Sequence, residues 1–236
     1  MPFARTVLGD IAPEALGIVY AHEHLVIHGG RPIEYQPDFD LSSVEKAVAE
    51  LAPAQALGLR TVVDAMPCDA GRDVLMLADI ARQSGVNVIA PSGLHHERYY
   101  HDRHWSVRLS AEEIADLFVA DIEEGIDELD YTGPVVKRTP HKAGVMKIAG
   151  ATDGPSARDE SIFVAAGMAQ YRTGCPILTH CEHATGALEQ VQLLVEHGGD
   201  PAHIVLSHTD HVVDRAYMRA IAATGARVEY DQHMRT

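Results

Sequence analysis

The chain has 236 residues, of which 46% are hydrophobic and 22% charged, enough apolar material for a large globular core. Its 34 acidic and 19 basic side chains give a formal net charge of -15, which argues against binding to nucleic acid or to an anionic membrane surface. No stretch reaches the roughly 18 apolar residues of a membrane span and residues 1–6 lack a signal-peptide core, so we expect a cytoplasmic protein.

Short β-like runs alternate with helical patterns along the whole chain. A small ribbon or loop is predicted at 5–15, followed by a buried core strand at 16–24. The later predicted strands are 60–66, 87–94, 144–149, 176–183, 204–210 and 227–231. The predicted helices are 41–57, which Pro53 should kink or divide, 73–84 with Gly85 as its stop, 110–128 with a Ser110/Glu113 capping box, 156–173, 185–197 and 212–224.

Strands that alternate with helices imply right-handed crossovers and a parallel sheet. The best-known closed arrangement of this kind is the TIM-type (β/α)8 barrel, here a single α/β domain over 1–236. A doubly wound open sheet is the alternative, but no G-x-G-x-x-G motif follows the first strand. Seven strands leave the barrel one strand short, so we expect either a barrel truncated after strand seven, lacking strand eight and its helix, or an unusual closure.

Residues of metal-ligand type fall at the carboxyl ends of these strands. His22 and His24 alternate on the first strand and therefore project to the same side. Lys147 stands towards the end of strand four, His180 ends strand five and His208 ends strand six. Because the carboxyl ends of the strands form the catalytic face of a βα barrel, the sequence predicts a metal site there rather than a set of structural histidines.

Lys147 is the unusual member of this set, since an ammonium group would repel a cation. Burial lowers the pKa of a lysine, and a neutral amine can react with carbon dioxide to form a carbamate that could bridge two metals. A lysine paired with one of the many carboxylates is an equally good interpretation of the residues alone.

Six short motifs follow one another along the chain: Thr6-Val7-Leu8-Gly9, His22-Glu23-His24-Leu25, Gly71-Arg72-Asp73, Gly144-Val145-Met146-Lys147, Thr179-His180 and Ser207-His208-Thr209-Asp210. Together they closely resemble the phosphotriesterase family of the amidohydrolase superfamily. The resemblance implies a distorted βα barrel with a binuclear metal centre, usually zinc and sometimes manganese, cobalt or iron.

The same resemblance assigns roles to these residues. His22 and His24 would bind the buried metal, His180 and His208 the more exposed one, and carboxylated Lys147, formed with carbon dioxide, would bridge the two. The family also uses an Asp at the end of strand eight, which this sequence does not contain. Asp231 aligns with an acidic residue that ends strand seven and does not replace it.

The chemistry implied is hydrolysis by attack of a metal-bridging hydroxide on a polarised C=O or P=O group. Lys147 and His208 would belong to the catalytic centre through their metals. Asp210 and His211, which follow His208, could relay a proton or orient the metal ligands, although a surface role for His211 fits equally well.

Substrate recognition is predicted in the polar loop 95–105. Arg98, Tyr99 and Tyr100 could hold a phosphate, carboxylate or polyol, and an ordinary solvated loop is an equal alternative. Family members with apolar loops there resemble acyl-homoserine lactonases, so this polar loop favours a sugar-type or phosphorylated lactone. The basic segment 137–142 precedes strand four and is predicted to be solvated.

The leading hypothesis is therefore a binuclear-metal lactonase that acts on a small polar lactone. The alternatives are phosphotriester cleavage by the same centre and a non-catalytic binding protein on the same barrel. The sequence predicts neither a nucleic-acid nor a membrane partner, and the family resemblance suggests a homodimer.

Overall fold

The computed structural model describes residues 2–152 and 155–231, whose packing separates two units. Unit one comprises Met1–Ser92 and Ala120–Val145, and unit two comprises Gly93–Val119 and Met146–Thr236. The division falls within helix α4 (Ala111–Glu123) and strand β6 (Ala143–Gly150). The single domain expected over residues 1–236 stays a prediction.

Unit one begins with a hairpin and continues with three parallel strands. β1 (Ala4–Thr6) pairs antiparallel with β2 (Gly9–Ile11), which agrees with the predicted ribbon. β3 (Ile18–Glu23) pairs with β4 (Leu59–Asp64), and β4 pairs with β5 (Asn87–Ser92), both in parallel. Helices α1 (Gly30–Tyr35) and α2 (Val44–Ala56) connect β3 to β4, and α3 (Val74–Ser84) connects β4 to β5. The predicted alternation of strands and helices is confirmed in this unit.

The ends of α3 are set by its local sequence. The Asp73 carboxylate accepts hydrogen bonds from the backbone N–H groups of Leu75 and Met76, both at 3.0 Å, and caps the first turn. Gly85 follows the last turn at φ 72°, where a residue without Cβ is favoured. By contrast, Pro53 does not divide α2, which runs unbroken from Val44 to Ala56.

β3 differs from its prediction as a buried strand. Ile18 is 60% exposed and Tyr20 is 54% exposed, so the prediction of burial is wrong for the first half of this strand. A run of apolar residues indicates that a strand forms, but burial depends on which other elements pack over it.

Unit two contains four parallel strands and the helices between them. Residues of β6 from Met146 onward pair with β7 (Ile177–Cys181), β7 pairs with β8 (Ile204–Ser207), and β8 pairs with β9 (Arg227–Val228). Helices α5 (Ala157–Thr173), α6 (Ala187–Glu196) and α7 (Arg215–Ala223) connect successive strands. The carboxyl ends of these strands therefore lie at one edge of the sheet in unit two.

Two capping boxes begin the long helices. The predicted pair is present before α4, where the Ser110 N–H donates to Glu113 at 2.8 Å and the Glu113 N–H donates to the Ser110 hydroxyl at 3.2 Å. Ser156 and Asp159 form the same arrangement before α5. α4 ends at Glu123 rather than at the predicted residue 128, because the chain turns at Gly125, where φ is 141°. Within the described residues, none of the helices has both the length and the apolar character needed to cross a bilayer.

Candidate metal centre

The histidine pair of unit one lies where β3 ends. The rings of His22 and His24 are 5.8 Å apart and inclined by 75°, as expected for alternate residues that project to one side. The His24 N–H donates to the Glu23 carboxylate at 2.8 Å, so Glu23 braces the backbone between the two rings.

The turn after His24 is held by Asp64, a fully buried carboxylate at the end of β4. Its oxygens accept hydrogen bonds from the N–H groups of Leu25 at 2.8 Å, Val26 at 3.4 Å and Met66 at 2.9 Å. Burial raises the pKa of Asp64 to about 7, although these three donors act in the opposite direction. Asp64 therefore fixes the path of the chain that leaves the histidine pair.

The histidines of unit two lie at the ends of neighbouring strands. His180 is the penultimate residue of β7, and its backbone is in register with Ser207 of β8. His208 follows Ser207 with φ 64°, a left-handed conformation. The two rings are 4.5 Å apart and inclined by 73°. Two imidazoles from different strands thus converge at the carboxyl edge of this sheet.

Each of these histidines contacts a carboxylate through one ring nitrogen. His180 Nε2 lies 2.7 Å from Glu182 Oε2, and His208 Nδ1 lies 2.7 Å from Asp231 Oδ2. The backbone N–H of His208 also donates to Asp231 at 3.1 Å. Carboxylates of this kind orient metal-binding imidazoles in known metal sites.

Lys147 lies on β6 and is 1% exposed. Burial lowers the pKa of its amine to about 8, although the carboxylates of Glu229 and Asp231 oppose the shift. A large fraction of the amine is therefore neutral just above physiological pH, which is the form that reacts with carbon dioxide.

The donors of unit two suit a divalent cation. Burial lowers the pKa of His180 to about 4, despite its hydrogen bond to Glu182, so this imidazole is neutral at pH 7. A neutral imidazole is a metal ligand, and a buried amine that loses its proton readily does not oppose a cation. The residues present therefore fit the metal that the sequence predicts.

A second cluster surrounds Glu182. The Arg98 guanidinium donates to its two oxygens at 3.1 and 3.3 Å, and His96 Nε2 lies 3.8 Å away. The hydrogen bond from His180 and the charge of the Arg98 guanidinium lower the pKa of Glu182 to about 2, although burial acts in the opposite direction. Burial lowers the pKa of His96 to about 3 and that of the neighbouring His95 well below its usual value. Glu182 is thus an ionised carboxylate held among nitrogen donors.

The predicted proton-relay residues lie beside this edge. The Asp210 carboxylate accepts a hydrogen bond from the Asp231 N–H at 3.2 Å, so it supports the residue that contacts His208. His211 is exposed, and its ring lies 5.8 Å from that of His183.

The predicted substrate-binding residues of loop 95–105 lie in different surroundings. Arg98 has 57% of its side chain exposed and lies over the Tyr99 ring, 5.4 Å from its centroid. Tyr99 packs against His95 with ring centroids 3.8 Å apart. Tyr100 is 2% exposed, and its hydroxyl accepts a hydrogen bond from the His95 N–H at 2.7 Å. Substrate binding by Arg98, Tyr99 and Tyr100 stays a prediction, and the buried Tyr100 supports the backbone of the loop.

The basic segment 137–142 is not uniformly solvated, so that prediction is wrong for two of its residues. Arg138 donates to the buried carboxylate of Asp121 at 2.9 Å and to the Gly125 carbonyl at 2.8 Å. His141 is buried, with Nδ1 2.6 Å from the Val7 carbonyl oxygen. Charge density in the sequence could not show that Arg138 pairs with a buried acid or that His141 contacts a backbone carbonyl.

Comparison with known proteins adds a family assignment to this geometry. A sequence profile of the phosphotriesterase family matches residues 2–235. The chain belongs to the phosphotriesterase family. This membership confirms the resemblance inferred from the six motifs, and the α/β-barrel fold class predicted with it.

Several relatives carry descriptive names. A phospho-furanose lactonase of Mycoplasmopsis agalactiae is 38% identical over 97% of this chain and 66% of its own length. An aryldialkylphosphatase of Saccharolobus solfataricus is 30% identical over 95% of this chain and 68% of its own length. This chain of the phosphotriesterase family thus spans about two thirds of the length of such relatives.

Solved structures show the same backbone. An amidohydrolase from Mycoplasma synoviae superimposes with a TM-score of 0.92 at 35% identity, over 98% of this chain and 68% of that one. A lactonase from Listeria monocytogenes gives a TM-score of 0.86 at 27% identity, over 98% of this chain and 73% of that one.

Sequence reasoning missed the contact of Glu182 with His180 and the contact of Asp231 with His208. Glu182 lies beyond the end of β7, where strand alternation no longer applies, so its place two residues after His180 gave no usable signal. For Asp231 the contact with His208 depends on how β9 pairs with β8, which the order of residues does not specify.

Proposed function

We propose that this phosphotriesterase-family protein is a metal-dependent hydrolase that opens small polar lactones of the sugar type. The observation that carries the proposal is the edge of unit two, where the buried Lys147 amine lies in the same sheet as the paired imidazoles of His180 and His208. A relative named phospho-furanose lactonase, 38% identical to this chain, supports the substrate class.

The proposed metal ligands are His22 and His24 of unit one and Lys147, His180 and His208 of unit two. Two divalent cations, zinc by family resemblance, would activate water and polarise the lactone carbonyl when bound. Carbon dioxide would convert the Lys147 amine to a carbamate, which supplies a negative charge and two oxygen ligands. Asp231 would hold the His208 ring, and Asp210 would in turn support the backbone of Asp231.

Substrate specificity would come from the loop that carries Arg98 and Tyr99. A guanidinium has five N–H donors, so Arg98 can meet a phosphate oxygen while it contacts Glu182. The Tyr99 ring offers an apolar surface with a hydroxyl at its edge, which suits a furanose ring. We therefore propose that a phosphorylated sugar lactone is a better substrate than an alkyl lactone.

The test is hydrolysis of a lactone panel by the protein loaded with zinc. The panel contains five-membered sugar lactones with and without a phosphate group, together with alkyl lactones, and proton release is followed with a pH indicator. We expect turnover of the sugar lactones to fall at least about 100-fold in His208→Asn, because losing a proposed ligand should cost no less than the roughly 10- to 100-fold that losing a residue behind a ligand costs.

The matched control is His203→Asn, which removes an exposed histidine that contacts Asp200 at 3.0 Å in the same unit. This variant should retain wild-type activity. If the wild type hydrolysed every lactone no faster than His208→Asn does, the result would contradict the proposal.

Phosphotriester cleavage is the second candidate, because an aryldialkylphosphatase is 30% identical to this chain. A dialkyl aryl phosphate hydrolysed with a larger kcat/KM than every lactone in the panel would place this activity first. The predicted cytoplasmic location, homodimer and absence of nucleic-acid partners stay predictions of the sequence.

A further inference from the structure

Glu182 is the centre of a hydrogen-bonded group that links His180 to loop 95–105. Its Oε2 atom lies 2.7 Å from His180 Nε2, and both of its oxygens accept from Arg98. Only 14% of the Glu182 side chain is exposed. A carboxylate placed in this way determines which nitrogen of the neighbouring imidazole carries the hydrogen.

An ionised carboxylate has no proton to donate. Both oxygens of Glu182 accept from the Arg98 guanidinium, as those of a carboxylate do, so the hydrogen in its 2.7 Å contact with His180 Nε2 belongs to the imidazole. His180 is therefore in the Nε2–H tautomer, and Nδ1 carries the lone pair.

The neighbouring histidine has the opposite arrangement. His208 Nδ1 faces Asp231 Oδ2 at 2.7 Å, so Nδ1 carries the hydrogen and Nε2 carries the lone pair. The two carboxylates thus leave the lone pair on different nitrogens, Nδ1 in His180 and Nε2 in His208, although the two rings are only 4.5 Å apart.

The backbone and Arg98 together hold Glu182 in place. His183 and Ala184 both have positive φ, 52° and 60°, so the chain turns sharply as β7 ends. The carbonyl of Glu182 accepts from the Thr185 N–H at 3.0 Å and from its hydroxyl at 2.8 Å. With Arg98 fixing the other end of the side chain, little rotation of Glu182 is left.

We propose that Glu182 is a positioning residue that locks His180 in the Nε2–H tautomer, so that His180 binds a divalent cation through Nδ1. Arg98 acts through Glu182 and couples loop 95–105 to this ligand. The inference rests on the proposed metal-dependent function, but its readouts need no substrate.

The first experiment reads the tautomer directly. Long-range ¹H–¹⁵N NMR spectra of the metal-free protein, labelled in its histidines, distinguish a protonated ring nitrogen from one with a lone pair. We expect the Nε2–H form of His180 in the wild type and a mixture of both tautomers in Glu182→Gln, whose amide both donates and accepts. An unchanged tautomer in Glu182→Gln would overturn the proposal.

The second experiment measures zinc binding by competition with a chromophoric chelator. Loss of a carboxylate that orients a metal-bound imidazole weakens metal affinity by about 10- to 100-fold, and we expect this change in Glu182→Gln. Glu189→Gln, which changes an exposed acid in the first turn of α6, should bind zinc as the wild type does. Equal zinc affinity in Glu182→Gln and Glu189→Gln, or no zinc binding by the wild type, would overturn the proposal.

The thermal unfolding temperature of each metal-free variant shows whether folding is affected. If Glu182→Gln does not fold, Arg98→Met keeps the carboxylate but removes both of its guanidinium contacts. It should weaken zinc binding by a smaller factor than that expected for Glu182→Gln, and unchanged affinity would contradict the role of Arg98. A wild type that binds zinc with the predicted tautomer but hydrolyses no lactone would refute the proposed function and leave this inference intact.

Discussion

Gly93 follows directly on β5 and lies against the backbone of Lys147. Its φ is 102°, and a Cβ atom built there would come 2.0 Å from the Lys147 carbonyl oxygen. Because the obstacle is backbone, it cannot turn aside as a side chain would. Gly93→Ala should therefore lower the free energy of unfolding by about 3 kcal/mol, measured by urea denaturation.

Gly174 is the matched control for this substitution. It also has a positive φ, 70°, but nothing lies within 4 Å of the Cβ position. Gly174→Ala should cost about 1 kcal/mol, the strain of the left-handed conformation alone. Equal losses in the two variants would show that contact with Lys147 does not set the cost at Gly93.

Asp64 gives a prediction about pH. Its pKa is raised to about 7 in the folded chain, above the value of about 3.9 in an unfolded one. The folded state therefore binds this proton more tightly, and the resulting stabilisation is complete below pH 4 and lost as the pH rises through 7. Relative to Asp64→Asn, the free energy of unfolding of the wild type should fall by about 4 kcal/mol from pH 4 to pH 8.

The Asp64 experiment compares slopes rather than absolute stabilities. The N–H groups of Leu25 and Met66 donate to different oxygens of Asp64, and Asn replaces one of these oxygens by an NH₂ group, so Asp64→Asn is destabilised at every pH. Chemical denaturation at several pH values gives the difference between the two proteins. A difference that does not change over this range would mean that Asp64 is already ionised at pH 4 in the folded state.

At the scale of elements, Arg72 connects the loop after β4 to β5, α4 and the turn at Asp130. Its buried guanidinium donates to the Pro91 carbonyl at 2.6 Å and to Asp121 at 3.1 Å, and it pairs with Asp130. Removing one partner of a buried ion pair leaves the others uncompensated, so Arg72→Met should cost about 3–5 kcal/mol in unfolding free energy.

An exposed pair provides the comparison for Arg72. Arg172 of α5 contacts Asp116 of α4 at 2.6 Å, and both side chains are largely in solvent. Arg172→Met should cost less than about 1 kcal/mol, because exposed ion pairs contribute little. If thermal unfolding shifts equally in the two variants, the buried network does not connect these elements as described.

Local sequence signals predicted the ends of helices more accurately than they predicted which residues pack over each element. The Gly85 stop and the Ser110/Glu113 box each involve residues within four positions of one another, so the sequence contains the whole interaction. The exposure of Ile18 and Tyr20, and the burial of Arg138 against Asp121, depend on residues far along the chain. Hydrophobic pattern alone could not supply these partners.

For the molecule as a whole, the ends of parallel strands were predictable and the contacts around them were not. His180 and His208 could be placed together because neighbouring parallel strands end at one edge. The contact of Glu182 with Arg98 joins residues 84 positions apart through a left-handed turn and a loop without regular pattern. Tertiary structure was therefore needed to find the residue proposed to orient His180.

Metal removal should change the stability of the whole chain if the proposed ligands bind a cation. A ligand that binds only the folded state at 100 times its Kd stabilises that state by about 2.7 kcal/mol. The wild type should therefore unfold at a higher temperature in excess zinc than in EDTA, measured by circular dichroism. His180→Asn should lose most of this difference, whereas His203→Asn, changed at an exposed histidine, should keep it. An equal zinc effect in both variants would show that the stabilising cation binds away from His180.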